Sequence, residues 1–510
     1  MNATHGLPRP APATYTRRDH HDALRPFLLF LGLAFLLRAP AFPAAVIDPD
    51  EGLYLLHALT WLGGGWPYVA SWDFHPPGAP ALLMPAAALP VPALGLRVTG
   101  VVAVAATALA IRGLVLVLGG GALTGLAAGT LYIAHGVVLG GLATNAEVLL
   151  APFVASGALI LLREARDLRA GVVPGLLPVG LAGLAFGVAI WIRQVAALDA
   201  VAVFATLAAL GWSTGATGPG RLLLLAGAFA AGCALPMGAT VLAYWSQGEV
   251  EALLRATLLG PLGLRDASMA GAPGIRAGMA AALPHLTALC LAALLAVLLP
   301  GPGRRAGVLL LPWLLGAALA AALPGRFHAH HFLLLLPPLC ALGGLGLART
   351  ARRVALPEAR RALLFGGTLL LALVPVMDML APRLGTGMGL REVDPVRRVA
   401  AIAADAGETL FVANWHPMVY VLAGRAPPTR YAFHAHLSGV HAPLTGGDQD
   451  AELARVLATR PEVIVVAPTR WELTRPEARR VIEAQVARHY ERVAQVMDGP
   501  GPVEVWRLRR

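Results

Sequence analysis

The stretch FLLFLGLAFLLRAPAFPAAVIDPDEGLY, residues 27 to 54, decides how the rest of the chain is read. It is apolar from Phe27 to Ile47, long enough to cross a hydrocarbon core about 30 Å thick as a helix. It then delivers Asp48, Asp50 and Glu51 within four residues. A span that opens directly onto clustered acids describes a membrane protein with chemistry at its surface, and the composition agrees. Of 510 residues, 57% are hydrophobic and 14% charged, where a soluble domain has about a quarter charged, and the mean hydropathy is +0.66. That excludes a string of soluble globules and equally a disordered or collagenous chain. Basic residues ahead of the segment and Ala44-Ala45 within it have the outline of a secretory signal, but its length and the spans that follow predict a retained anchor.

Working outward, ten more stretches are long and apolar enough to span: 98 to 118, 121 to 141, 146 to 162, 173 to 192, 195 to 212, 222 to 245, 278 to 300, 306 to 323, 331 to 348 and 362 to 381. With 27 to 47 that makes eleven, and the Gly- and Pro-rich segment 77 to 95 reads as a helix lying on the membrane surface. Arginine placement supports this threading, because short cytoplasmic loops collect basic residues. Every one of the 40 basic residues is Arg. One side receives Arg17, Arg18 and Arg25, then Arg163, Arg166 and Arg169, then Arg221, Arg304 and Arg305, and finally the cluster from Arg349 to Arg361. The other receives the loops beginning at Asp48, Thr144, Arg193, Trp245 and Pro324, and everything after Ala381. The net charge of +11 is thus mostly topological, and a nucleic-acid partner loses its support. Cys233, Cys290 and Cys340 sit far apart in apolar runs and read as small buried residues.

From about residue 382 charges become frequent and short β-branched runs alternate with amphipathic stretches. Residues 410 to 414, 462 to 468 and 503 to 508 read as strands, and 449 to 459 and 476 to 493 as helices. The expected architecture is an all-α polytopic membrane protein of about eleven transmembrane helices plus juxtamembrane helices, with a small C-terminal α/β domain. Residues 1 to 26 would be cytoplasmic, 27 to 381 the transmembrane domain with 48 to 97 as its first extracytoplasmic loop, and 382 to 510 the extracytoplasmic domain.

The chemistry-bearing residues fall on that same side. Asp48, Asp50 and Glu51 offer a general base, an acid that orients one, or ligands for a divalent cation. The same loop carries Asp73 and His75, whose direction is fixed by the following Pro76-Pro77. Glu147 enters at the mouth of a helix, where an ionisable residue is a functional hypothesis by default. Arg193 and Gln194 interrupt an apolar stretch, and Arg326, His328, His330 and His331 cluster further on. No carboxylate or thiol stands at a ligand spacing from those histidines, which favours an anion site over a metal: guanidinium forks and imidazoles suit phosphate oxygens. Asn414 to Pro417, Tyr420, Arg430-Tyr431, His434 and His436 follow a predicted strand and have two readings, residues facing the membrane-side cavity or, the favoured one, local packing and turn chemistry.

Asp50-Glu51-x-x-Tyr54 after the first span, His75-Pro76-Pro77 ahead of a juxtamembrane helix, Glu147, and Arg326-x-x-x-His330-His331 before a Leu-rich run resemble, in order, the GT-C glycosyltransferases. The branch that includes protein O-mannosyltransferase-like and lipid A aminoarabinose transferase-like enzymes looks most similar. The resemblance implies transfer of a sugar from a polyprenyl-phosphate donor, with inversion, to an extracytoplasmic glycolipid, polysaccharide or protein acceptor at a bacterial inner (plasma) membrane. It implies Asp50 as candidate base with Glu51 as its partner acid. Asp48, Tyr54, Asp73, His75, Glu147, Arg193, Gln194, Arg326, His330 and His331 would be donor or acceptor contacts. A divalent cation, if one assists, would be expected at Asp50 and Glu147. Many lipid A-type members have Lys where this chain has His75, a group that loses its charge near neutrality. The rival reading is a transporter or flippase for a lipid-linked or anionic solute, which would need polar groups reachable from both faces.

Overall fold

The computed structural model describes residues 17–262, 272–300, 304–385, 394–499 and 501–510. The membrane body is built from α1 (Arg17–Arg38), α2 (Pro49–Leu62), α3 (Gly78–Ala87), α4 (Pro92–Val117), α5 (Ala122–Gly136), α6 (Ala146–Arg169), α7 (Leu176–Ile192), α8 (Ala196–Ser213), α9 (Pro219–Ser246), α10 (Ala272–Leu298), α11 (Leu311–Ala322), α12 (Leu336–Ala351) and α13 (Pro357–Gly385). Short turns link some of them. Among the described residues eight helices are long and apolar enough to cross a membrane. The three other predicted spans fall on the shorter α5, α7 and α11. The chain is a multi-pass membrane protein.

Two boundaries differ from expectation. The first helix ends at Arg38 because Pro40 and Pro43 cannot continue it; residues 39 to 47 instead carry the chain through a 3-10 turn to Asp48. The segment 77 to 95 divides: Gly78–Ala87 is the short helix expected, while α4 starts at Pro92, so Arg97 lies inside a helix and not in the first loop.

The helices that present the site are strongly initiated. Asp48 caps α2, accepting from the Asp50 backbone N–H at 3.0 Å, with Pro49 next and Glu51 closing a capping box. Asn145 caps α6 by accepting from Val148 N–H at 3.2 Å. Each cap fixes the direction of the acid beside it, Asp50 and Glu147 respectively.

The tail holds α14 (Pro395–Ala406), α15 (Met418–Ala423), α16 (Gln449–Ala458) and α17 (Pro476–His489) around a four-stranded sheet, β1 (Leu410–Val412), β2 (Val463–Val466), β3 (Tyr490–Asp498) and β4 (Gly501–Leu508). The order is β1-β2-β4-β3, with β1 and β2 parallel and the other pairs antiparallel. The helix predicted over 476 to 493 stops at His489. From Tyr490 the chain is extended and returns as a hairpin that pairs Glu491 with Arg507 and Asp498 with Gly501.

Two apolar clusters seat this domain on the membrane body. One is continuous from the helices into Val396, Trp415, Met418 and Tyr420. The other joins Trp72 and Phe74 of the first loop to Leu453, Ile464 and Ile482 of the tail. Helix α15 crosses α2 so closely that a β-carbon on Gly52 would come 2.6 Å from the Met418 nitrogen, and Trp72 N–H donates to the Arg430 carbonyl at 2.9 Å.

Candidate active site

Five separate pieces of chain converge beneath the tail: the start of α2, the loop through Asp73 and His75, the start of α6, the residues after α7, and the 3-10 turn Ala329–Leu335. A scaffold of buried charge holds them. Glu51, expected as a partner acid, is fully buried and ion-paired with Arg97, whose second amino group reaches its Oε2 at 3.1 Å. It also accepts the backbone N–H of Ile47 at 2.7 Å and of Thr144 at 2.6 Å. Both its oxygens are thereby engaged, and they tie the α2 turn to the α6 approach. Arg38, at the end of α1, bonds the carbonyl of Gly141 and the Thr144 hydroxyl, the latter at 3.1 Å. Neither Arg97 nor Arg38 is singled out by the motifs, although an arginine within an apolar run was a signal available for each.

The loop so held passes close to the histidines. Gly140 has φ +79°, and a β-carbon there would stand 3.1 Å from the His330 Cβ, so glycine permits both the turn and the approach. Asp48 Oδ2 lies 3.5 Å from His330 Nδ1. Arg193 pairs with Glu147 and places its other amino group 3.1 Å from His331 Nε2. Asp73 accepts from Phe74 N–H at 2.7 Å and lies 2.9 Å from His75 Nδ1, while Tyr68 donates to the His75 carbonyl at 2.7 Å. The Tyr54 ring meets the His75 ring edge-on with centroids 5.6 Å apart. Arg326 reaches up to His441 of the tail at 3.2 Å.

Electrostatics distinguish the acids. Burial, then the neighbouring Asp48 carboxylate, pushes Asp50 up to about 6, and the charges of His75 and His330 keep it from rising further. Burial would lift Asp48 too, but the bond to His330 and its charge hold it below the ordinary carboxylate value. Asp73 is likewise drawn down, against its burial, by His75, which is itself raised, against burial, by Asp73. The result is one carboxylate poised near neutrality among fixed charges: an anion at Asp48, an ion pair at Asp73 and His75, and the guanidinium groups of Arg193 and Arg326. Both arginines lie within electrostatic reach of Asp50.

No family model matches the chain, and neither does any curated protein. Solved structures do. ArnT from Cupriavidus metallidurans, as crystallised with undecaprenyl phosphate, superimposes with a TM-score of 0.55 at 14% identity over 94% of this chain and 97% of that one. Its apo form gives 0.56 over the same shares. The fold is GT-C. An oligosaccharyltransferase from Archaeoglobus fulgidus, in its apo form, gives a lower TM-score of 0.49 at 13% identity over 88% of this chain and 70% of that one.

Within this GT-C fold the expected site residues divide. Asp48, Asp50, Tyr54, Asp73, His75, Glu147, Arg193, Arg326, His330 and His331 are gathered at one end of the bundle. Gln194 does not join them: its amide donates to the Thr257 carbonyl at 2.8 Å and secures the turn after the short helix Val250–Leu254. The fold brings to the histidines the carboxylate that their sequence spacing lacks. Glu147, His330 and His331 bring one ligand atom each within 4.8 Å of one another, and the second Glu147 oxygen and His331 Nδ1 have no hydrogen-bond partner. Asp50, the other residue considered for a cation, is not part of this group. Of the tail residues, Asn414 bridges to Ala467, Tyr420 accepts from Val412 N–H at 2.8 Å, and His436 is buried against Trp72 and Phe74, whereas Arg430 and Tyr431 line a cleft.

Proposed function

We propose that the chain is an integral membrane glycosyltransferase that moves a sugar from a polyprenyl-phosphate donor to an extracytoplasmic acceptor, with Asp50 as general base. The observation that carries this reading is the contrast at the site: a single carboxylate raised to about 6 faces guanidinium and imidazole groups contributed by three later segments. The fold shared with ArnT, crystallised with undecaprenyl phosphate, supports the donor class.

The steps follow from the groups. An acceptor hydroxyl within hydrogen-bond reach of Asp50 gives up its proton to that carboxylate as its oxygen bonds to the anomeric carbon. The bond from that carbon to the phosphate oxygen breaks on the opposite face, giving inversion, and its electron pair stays on the departing phosphate. Charge builds on the sugar as an oxocarbenium-like cation and on the phosphate as an anion. Arg326, Arg193 and protonated His75 stabilise the second. A divalent cation held by Glu147, His330 and His331 would add Lewis-acid stabilisation of the same oxygen.

The test is incubation of purified protein with labelled polyprenyl-phosphate sugars and a membrane extract, with and without chelator. Wild type should form a new glycosidic linkage, and folded, inserted Asp50→Asn should not. Transbilayer movement of label without any linkage would replace the enzyme by a flippase, and full turnover by Asp50→Asn would remove Asp50 from the base role.

A further inference from the structure

A cleft in the tail is lined by none of the charged residues of the candidate site. It is an open cleft of about 420 Å³, within the size range of small-molecule sites, and is lined by Arg430, Tyr431, Gly447, Asp448, Gln449 and Glu452. Three features give it the character of a binding site. The Arg430 guanidinium lies over the Tyr431 ring, 4.9 Å from its centroid, and donates to the Tyr431 hydroxyl at 2.7 Å, so that two flat groups form one wall. Gln449 is 5% exposed; its amide nitrogen donates to Thr445, and its Oε1 is buried with no partner among the described residues. A buried acceptor without a donor is uncommon in folded proteins. Third, the charges nearly balance, because Glu452 is held by Arg455 at 2.7 Å and Asp448 caps α16 through Ala451 N–H at 3.0 Å.

We infer that this cleft binds a neutral glycan segment of the acceptor. Sugar hydroxyls are donor and acceptor at once, and suit an unpaired carbonyl oxygen beside carboxylates and a guanidinium already fixed in place. A peptide would seek an apolar anchor pocket or a free strand edge. This lining offers no aliphatic side chain, and its residues come from a loop and a helix start instead of a strand. The cleft also adjoins the chemistry: Trp72, which precedes Asp73, donates its N–H to Arg430 and packs its ring 5.7 Å from that of Tyr431. A chain held here would be presented beside the loop that carries His75. The inference rests on the glycosyltransferase reading for the word acceptor, and the binding itself is measured without turnover.

The experiment is saturation-transfer NMR and calorimetry on the full-length protein in nanodiscs, with oligosaccharides built from glucose, mannose or N-acetylglucosamine and with a Ser- and Thr-rich peptide. At least one glycan should bind wild type. Arg430→Ala, a change at an exposed side chain, and Gln449→Met, which removes the carbonyl at similar volume, should each weaken binding about tenfold. Wild-type melting behaviour in Arg430→Ala separates that loss from misfolding. In the transfer assay Arg430→Ala should raise KM for a glycan acceptor and leave kcat unchanged. Failure of every glycan to bind, binding that both variants retain, or preference for the peptide overturns the proposal. Glycan binding in a protein that transfers no sugar would refute the glycosyltransferase reading and leave the cleft a glycan site.

Discussion

Replacing Asp50 with Asn should make the protein inactive and, at the same time, more stable. Folding lifts this carboxyl from the usual 3.8 to about 6, chiefly through burial and then through Asp48. A group whose folded pKa lies above its unfolded value favours the fold while protonated, and that contribution is lost as pH rises through the folded value. Above about pH 6 the wild-type chain therefore holds an ionised Asp50 at a penalty. A rise of roughly two pH units at about 1.36 kcal/mol each makes that penalty ~3 kcal/mol, and the partial opening of the pocket to solvent reduces it toward ~1 kcal/mol. Asn keeps the shape and discards the charge. Thermal melts of purified protein followed by tryptophan fluorescence should show the variant melting higher than wild type at about pH 8 and together with it at about pH 4. A parallel transfer assay should read zero. Equal melts at both pH values, or a variant less stable at the higher one, would refute the claim that folding disfavours the ionised carboxylate.

Asp48→Asn should shift the acid limb of the transfer rate to lower pH, because it removes a like charge that raises Asp50 while Asn still caps α2; a pH–rate profile of kcat/KM reads it. Arg97→Met should destabilise the protein by about 3–5 kcal/mol by leaving Glu51 buried and uncompensated, and adding Glu51→Gln should recover much of the loss in a melting assay. Gly52→Ala should force α2 and α15 apart, lowering stability by about 1–3 kcal/mol and speeding limited proteolysis of the tail. Asp73→Asn should lower the His75 pKa and move the alkaline limb of transfer to lower pH, since a protonated His75 then persists over a narrower range.

The apolar runs announced the helices because lipid demands about twenty apolar residues per crossing, a requirement few other structures share. Asp50 stood out for the same reason, as charge in a chain that has little. The pairings were hidden. Glu51 and Arg97 are 46 residues apart, as are Glu147 and Arg193, and only the packing of α2, α4, α6 and α7 brings them together. Seen along the chain, Glu51 and Asp50 look equivalent; the fold gives one of them five donors and leaves the other's carboxylate with none among the described residues. Tyr490–Asp498 was missed because Arg488, Glu491 and Arg492 continue the charged rhythm of α17, and a strand that exists by pairing with a later one carries little signal of its own. Helix α14 did have an Asp394-Pro395 start signal, which the change of composition nearby obscured.

Arg38 has a consequence for biosynthesis. Its first acceptor, the Gly141 carbonyl, lies 103 residues downstream. At about 5–20 residues per second a ribosome needs on the order of 5–20 seconds to supply it. During that interval the guanidinium has no protein partner at Gly141 or Thr144 and must stay hydrated at the lipid boundary or inside the insertion machinery. The leading hydrophobic segment can reach its final depth only after the fifth helix has entered and the turn beyond it has emerged, so a truncated nascent chain ending before residue 141 should leave that segment shallow and extractable.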